Sequence, residues 1–249
     1  MQSFIVMITE RCNMSCACCA VSAGPAGRDM DMDTFKRVCE RIREVPRLKK
    51  VCLSGGEPTL HPLFWEFVDM ALGKMGHVLQ ITTNGSVTES ALKLADMGRK
   101  GILEARLSLT EYHNRSMVSP EVVKAYESNL HDLRTVGTGT LISLSGRAAV
   151  NQISNGLPVC FWDLGWLIDA AGHIFNCGCR RDRHGSVWDD ENILLQDQPP
   201  CSTFENSHVV IDKMVNQIIL NLRGQGKTGM AALQEIYTKG PDILRLRRE

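Results

Sequence analysis

The chain has no surplus of charge: 28 Lys and Arg side chains stand against 28 Asp and Glu, for a formal net charge of zero. That balance excludes a long-range field steering the whole molecule to nucleic acid or a membrane surface, and leaves such roles to local clusters. No window holds the ~18 uninterrupted apolar residues of a membrane span. The opening stretch, "MQSFIVMITERC", lacks the basic region and cleavage site of a signal peptide, and its apolar run is too short to be one. A cytoplasmic location without membrane contact is therefore expected. No long repeat or low-complexity tract interrupts the chain. A phosphate loop is also missing. "RGQGKTG" (223–229) has Asn221 where the first glycine of G-x4-G-K-[ST] belongs, and no strand pattern precedes it, so it reads as a helix break.

What the chain does have is cysteine, ten in 249 residues. Disulfides are unusual in the cytosol, so ten cysteines there point to metal or catalysis. The length and a 43% hydrophobic content allow one large domain, or a medium one with an appendage.

Short apolar runs alternate with helical patterns over the first 145 residues. "FIVMIT" (4–9), "KVCLS" (50–54), "HVLQITT" (77–83), "ILEARLSL" (102–109) and "TGTLISLS" (138–145) read as strands. Phe35, Val38, Cys39, Ile42 and Val45 share a helical face. So do Leu63, Phe64, Phe67, Val68, Ala71, Leu72 and Met75. A third helix covers 87–97. The fourth begins at Ser119-Pro120 and carries Val122, Val123, Tyr126, Leu130 and Leu133. Five strands with four intervening helices imply α/β architecture with a parallel sheet, right-handed crossovers and ligands at the carboxyl ends of the strands. Glycines follow strands there, at Gly55-Gly56, Gly85 and Gly146. Cys39 and Cys52 fall on core faces and read as packing. After Asn151 the pattern changes. "GWLIDAAGHIFNC" reads as a β-hairpin turning near Ala171-Gly172, and from about 209 the chain reads as helical again.

Cys12, Cys16 and Cys19 form C-x3-C-x2-C directly after the first strand. Zinc sites usually pair two short clips, and no second clip lies nearby. Three thiolates on a four-iron cluster leave one iron open for a non-protein ligand. "SGGEP" (54–58) follows strand two, "TTNGS" (82–86) follows strand three, and "LSL" (107–109) is strand four. On these motifs residues 4–146 resemble the radical SAM superfamily.

The resemblance implies a partial (β/α) barrel of about five parallel strands over 1–150. It implies a 4Fe-4S cluster on Cys12, Cys16 and Cys19, with S-adenosylmethionine (SAM) on the open iron. An electron from a donor such as flavodoxin or ferredoxin cleaves the sulfonium, and the 5′-deoxyadenosyl radical abstracts hydrogen from a substrate. Gly55 and Gly56 would let backbone approach the methionyl ammonium, and Glu57 would accept a hydrogen bond from it. Asn84 and Ser108 would touch other SAM atoms, or serve simply as a turn residue and a strand hydroxyl. Two features depart from the family pattern. Cys18 stands where an aromatic usually covers the adenine, and reads as a small apolar side chain. Thr110 and Glu111 replace an Asp-Gly pair. That makes Glu111 and Tyr112 the candidate catalytic residues, with His113 a further substrate contact, against the alternative of solvated loop residues.

Cys160 to Cys177 reads C-x11-G-x4-C around Gly172. It resembles the start of the SPASM and twitch domains, with the shorter twitch fitting better. The resemblance implies a second, auxiliary 4Fe-4S cluster on Cys160, Cys177 and Cys201, with Cys179 as fourth ligand, in a unit over 151–208 followed by a helical segment over 209–249. A structural zinc site is the alternative. "RRDRH" (180–184) is either an anion contact or a solvated basic turn.

Members of this plan modify peptides, sugars, aminocyclitols or nucleotides. The first strand begins at residue 4, so no leading peptide-recognition domain is expected. The expected activity is an oxidoreductase or isomerase acting on a small polar metabolite or nucleotide-like substrate. A peptide maturase served by a separate recognition protein is the second reading. An isomerase acting on a nucleobase, including a DNA base, is the third, and a non-catalytic iron–sulfur or zinc module the last.

Overall fold

The computed structural model describes residues 2–46, 48–75, 79–110, 112–127, 133–135, 146–153, 165–176, 178, 180 and 182–197. Eight strands form one sheet: β1 (Gln2–Thr9), β2 (Leu48–Gly55), β3 (Leu79–Thr83), β4 (Glu104–Leu109), β5 (Leu133–Thr135), β6 (Trp166–Ile168), β7 (His173–Phe175) and β8 (Arg183–Ser186), in the order β5-β4-β3-β2-β1-β6-β7-β8. The pairs from β5 through β1 to β6 are all parallel, and β7 and β8 close the edge antiparallel. The helices are α1 (Met32–Arg43), α2 (Phe64–Met75), α3 (Thr88–Arg99), α4 (Pro120–Glu127) and the short α5 (Gly146–Val150). This is the mostly parallel α/β sheet the strand pattern implies. Among the described residues no helix is long and apolar enough to cross a membrane.

Helix α1 starts where Asp31 accepts the Thr34 N–H at 2.7 Å, and it buries the expected stripe of Phe35, Val38, Cys39 and Ile42. The stripe packs against the face of the sheet formed by Phe4, Val6, Ile8, Val51, Leu53 and Ile81. Side chains alternate along a strand, so the opposite face carries Ile5 and Met7 on β1, Lys50, Cys52 and Ser54 on β2, Gln80 and Thr82 on β3, and Glu104, Arg106 and Ser108 on β4. Helices cover one face of the half-barrel; the other is its concave side.

Two expectations change, and a third lies beyond what is described. Leu133, placed on a helical stripe, begins strand β5, because α4 ends at Glu127. The expected strand over 138–145 lies outside the described residues. Cys52 is half-buried on the concave side and not among the helix-facing residues, whereas Cys39 is buried as expected.

The hairpin after residue 165 is present, with its turn at Asp169–Gly172. Asp169 Oδ1 accepts the N–H groups of Ala171 and His173, both at 2.9 Å. Its first strand, β6, pairs parallel with β1, so the sheet runs unbroken from the first strand into the hairpin. Arg37 and Arg41 donate to the Val187 carbonyl at 3.1 and 3.2 Å, and Asn192 donates to the Arg41 carbonyl at 2.9 Å. These bonds fasten the segment after β8 to α1.

Candidate functional site

The site forms where β1, β2 and β3 end side by side. Arg11 leaves β1 in a fixed direction: its Nε donates to Asp29 Oδ1 at 3.0 Å and its Nη2 to the Leu60 carbonyl at 2.7 Å. The cysteine loop follows. Gly56 donates to the Thr9 carbonyl at 2.9 Å and Glu57 to the Arg11 carbonyl at 2.8 Å. A Cβ on Gly55 would sit 2.0 Å from the Thr9 oxygen, and one on Gly56 would sit 2.1 Å from the Arg11 oxygen. Both glycines are thus required by the close approach of the β2 loop to the β1 end.

A cavity of about 220 Å3 opens between these strand ends. Cys12, Cys16, Cys18 and Cys19 line one wall, and Gly55 and Gly56 another. Asn84, Ser108, His113 and Arg147 border it as well. The structure therefore brings together the three expected cluster cysteines and four of the five expected SAM-contacting residues. The fifth, Glu57, is fully buried beneath the wall. Its carboxylate accepts the hydroxyls of Thr59 and Thr83 at 2.6 and 2.7 Å and the Asn84 N–H at 2.6 Å. Burial pushes its carboxyl up from the usual range, and these bonds oppose the push.

Asn84 holds two positions at once. Its Oδ1 accepts the Ser86 N–H at 2.9 Å, which forms a turn, while its Nδ2 reaches Asn13 Oδ1 at 3.2 Å and Cys12 Sγ at 3.8 Å. Cys12 Sγ also accepts the Met14 N–H at 3.4 Å. Burial, the largest influence, raises the Cys12 thiol and pushes Cys16 up to about 11.

These residues fit an iron–sulfur cluster. Three soft thiols share one loop and N–H groups point at a sulfur, a pattern that stabilises cluster thiolates. Bound irons would offset the burial that disfavours free thiolates. Among the described residues no three His, Cys, Asp or Glu side chains converge as they would on a single metal ion; a four-iron cluster takes its thiolates at separate corners.

His113 Nδ1 accepts the Thr110 N–H at 3.1 Å and lies 2.9 Å from Thr110 Oγ1. The backbone N–H only donates, so the neutral ring carries its proton on Nε2. Tyr112 is half-buried and does not line the cavity; Glu111 lies outside the described residues. Sequence reasoning missed Arg147. Its Nε donates to the Cys16 carbonyl at 3.0 Å and its Nη1 to the Ala23 carbonyl at 2.6 Å, clamping the middle of the cysteine loop to the chain that follows it. The signal was its place directly after Gly146, at the end of the fifth expected strand. In "RRDRH", Arg180 pairs with Glu10 and donates to the Val21 carbonyl at 3.3 Å, and Arg183 is exposed on β8. Cys160, Cys177, Cys179 and Cys201 lie outside the described residues.

A family profile described as the Radical SAM superfamily matches residues 6–142. A tungsten-containing aldehyde ferredoxin oxidoreductase cofactor-modifying protein of Pyrococcus furiosus is 37% identical over 102 residues, 39% of this chain and 28% of that protein. The mycofactocin maturase MftC of Mycobacterium ulcerans is 37% identical over 81 residues, 31% of this chain and 21% of that protein. The chain thus covers well under two thirds of these relatives. Among solved structures, BtrN in complex with AdoMet and 2-DOIA superposes with a TM-score of 0.53 at 16% identity, covering 80% of this chain and 83% of that one. The protein anSMEcpe with bound AdoMet gives 0.51 at 12% identity, covering 83% and 82%. At these identities the likeness shows the fold alone.

Proposed function

The chain belongs to the radical SAM superfamily, and on that premise we propose that it cleaves SAM reductively and abstracts hydrogen from a small polar metabolite or nucleotide-like substrate, with oxidation or isomerisation as the outcome. The observation that carries this reading is the cavity itself, where the three-cysteine loop faces the Gly55-Gly56 edge, Asn84 and Ser108.

Cys12, Cys16 and Cys19 would hold the cluster, in the cavity that Gly55 and Gly56 also line. The bound cluster and SAM together supply a 5′-deoxyadenosyl radical. The protein's part is placement. The Gly55-Gly56 backbone presents polar groups to the methionyl end, while Asn84 and Ser108 border the same cavity. Arg147 fixes the cysteine loop, and His113 borders the same cavity. Buried walls such as Met14 and Ala23 exclude water, which protects a reactive species. The electron would come from a flavodoxin or ferredoxin in the cytoplasm. Cys160, Cys177, Cys179 and Cys201 would hold an auxiliary four-iron cluster in a twitch-like unit, suited to accepting or relaying an electron.

The likeness to mycofactocin maturases favours a second reading, a peptide maturase served by a separate recognition protein. Both readings share the first test. A variant with Cys12, Cys16 and Cys19 all changed to Ala should fold, by circular dichroism, and make no 5′-deoxyadenosine from SAM and dithionite. Undiminished 5′-deoxyadenosine would sink the assignment.

A further inference from the structure

The concave face carries charge that the SAM-facing residues do not use. Along β4, Glu104, Arg106 and Ser108 share that face, and Ser108 borders the cavity. Arg106 lies two residues further from the strand end, a step of about 7 Å. It is paired in register with Thr82, which also lines the cavity. Lys50 Nζ lies 2.8 Å from Glu104 Oε2, and Arg106 Nη2 lies 3.3 Å from the same oxygen. One carboxylate oxygen thus serves two cations, and the trio stays net positive. No other acid stands on this face of β1 to β4, where the neighbours Cys52, Gln80 and Thr82 are neutral.

Arg106 Nε is buried and takes no hydrogen-bond partner among the described residues. A guanidinium N–H left unbonded in a buried setting is costly, and Arg offers a planar fork suited to a carboxylate or phosphate. The side chain remains 23% exposed, so a ligand can reach it from the open side. By contrast Arg180, an anion-contact candidate in the sequence, is committed to Glu10.

We propose that Arg106, with Lys50 beside it, holds an anionic group of the substrate, a carboxylate or a phosphate, one pleat below the SAM cavity. The proposal rests on the radical SAM reading and narrows its substrate to an acid or a phosphate ester. Glu104 orients the two cations and competes with the incoming anion. Displacing Nη2 from its long contact with Glu104 costs little, and the anion gains Nε–H in return.

The test uses the full chain, reconstituted anaerobically and loaded with SAM, at low ionic strength. Inorganic phosphate and acetate are the probes, with binding read by calorimetry and by the shift in thermal unfolding. One probe should bind saturably; phosphate marks a phosphate ester, acetate a carboxylate. Arg106→Gln should weaken that binding about tenfold. Glu104→Gln should tighten it several-fold, and Arg183→Gln on exposed β8 should leave it unaltered. Saturation by neither probe, undiminished binding by Arg106→Gln, or weaker binding by Glu104→Gln overturns the proposal. Should Arg106→Gln fail to fold, the direction of the Glu104→Gln change decides alone. Wild-type protein that cleaves SAM but binds neither probe refutes the subsite only; protein that binds a probe but cleaves no SAM refutes the SAM reading only.

Discussion

Glu57 Oε2 accepts the Asn84 backbone N–H at 2.6 Å, and that bond ties the loop after β2 to the loop after β3 across 27 positions of sequence. Oε1 accepts the Thr83 and Thr59 hydroxyls, so one carboxylate fixes both loops that border the cavity. Replacing Glu57 by Ala strands these donors in a buried setting and should cost about 2–4 kcal/mol. Urea denaturation checks the stability, and calorimetry with SAM should show weakened binding. Wild-type stability in Glu57→Ala would mean the carboxylate holds nothing in place.

The glycines beside it are expected to be less forgiving. Gly56→Ala puts a methyl group 2.1 Å from the Arg11 carbonyl oxygen, a backbone atom that cannot step aside cheaply. At Gly55 the clash with Thr9 is joined by a φ of 142°. Either substitution should lower Tm by several degrees or abolish soluble expression. Gly73→Ala, where nothing lies within 4 Å of the added Cβ, is the control and should be harmless. A Gly56→Ala variant with unchanged Tm would show that the two strand ends separate easily.

How far the sequence foretold this structure varies from element to element, for physical reasons. Strands β1 to β4 and helices α1 to α4 were visible because burial on a covered face imposes a period. Strand β5 was not. Leu-Arg-Thr is too short to show a period of two, and Leu133 fits the preceding helical stripe by chance of spacing. The hairpin showed in its turn residues, but its parallel pairing with β1 did not, because periodicity reports burial and not partners. Cys12, Cys16, Cys19 and the glycines could be read from their spacing. The clamp by Arg147 and the Lys50–Glu104–Arg106 trio could not, since each joins residues that only the fold brings together.

Asp31 gives a pH dependence with a defined sign. The Thr34 N–H, its main partner, holds its carboxyl below the usual range. A folded-state pKa below the unfolded value adds stability above the unfolded pKa, and that stability is lost as pH falls through the folded one. Asp31→Ala should cost about 1 kcal/mol at neutral pH. The gap between variant and wild type should close as pH drops below about 3.9. A gap unchanged down to pH of about 2 would rule out the capping account.

Arg147 is expected to matter for retention of the cluster more than for folding. Its two side-chain bonds reach carbonyls seven residues apart, at Cys16 and Ala23, beside the bond from its own backbone N–H to the Cys19 carbonyl. Arg147→Met keeps the apolar stem and removes both donors. The reconstituted variant should lose iron to a chelator several-fold faster than wild type, with circular dichroism unchanged. Equal rates of release would assign the clamp to folding alone.

The second cysteine set yields the last expectation. Arg180 follows Cys179 directly in sequence, and its guanidinium pairs with Glu10, two positions before Cys12. Arg180 itself is thus fastened beside the start of the first cysteine loop. Two four-iron clusters give about eight irons per chain after anaerobic reconstitution. The variant lacking Cys12, Cys16 and Cys19 should keep about half, and so should one with Cys160, Cys177, Cys179 and Cys201 all changed to Ala. Iron analysis and electron paramagnetic resonance distinguish the two remaining clusters, because only the first has an iron open to SAM and should change its spectrum when SAM is added. Cys179→Ala then tests the fourth ligand. If its auxiliary cluster assembles with an unaltered spectrum, three thiolates suffice there, an iron is free to bind substrate, and the relay role gives way to an anchoring one. Wild-type protein with only about four irons, or with zinc in the second site, would remove the auxiliary cluster altogether.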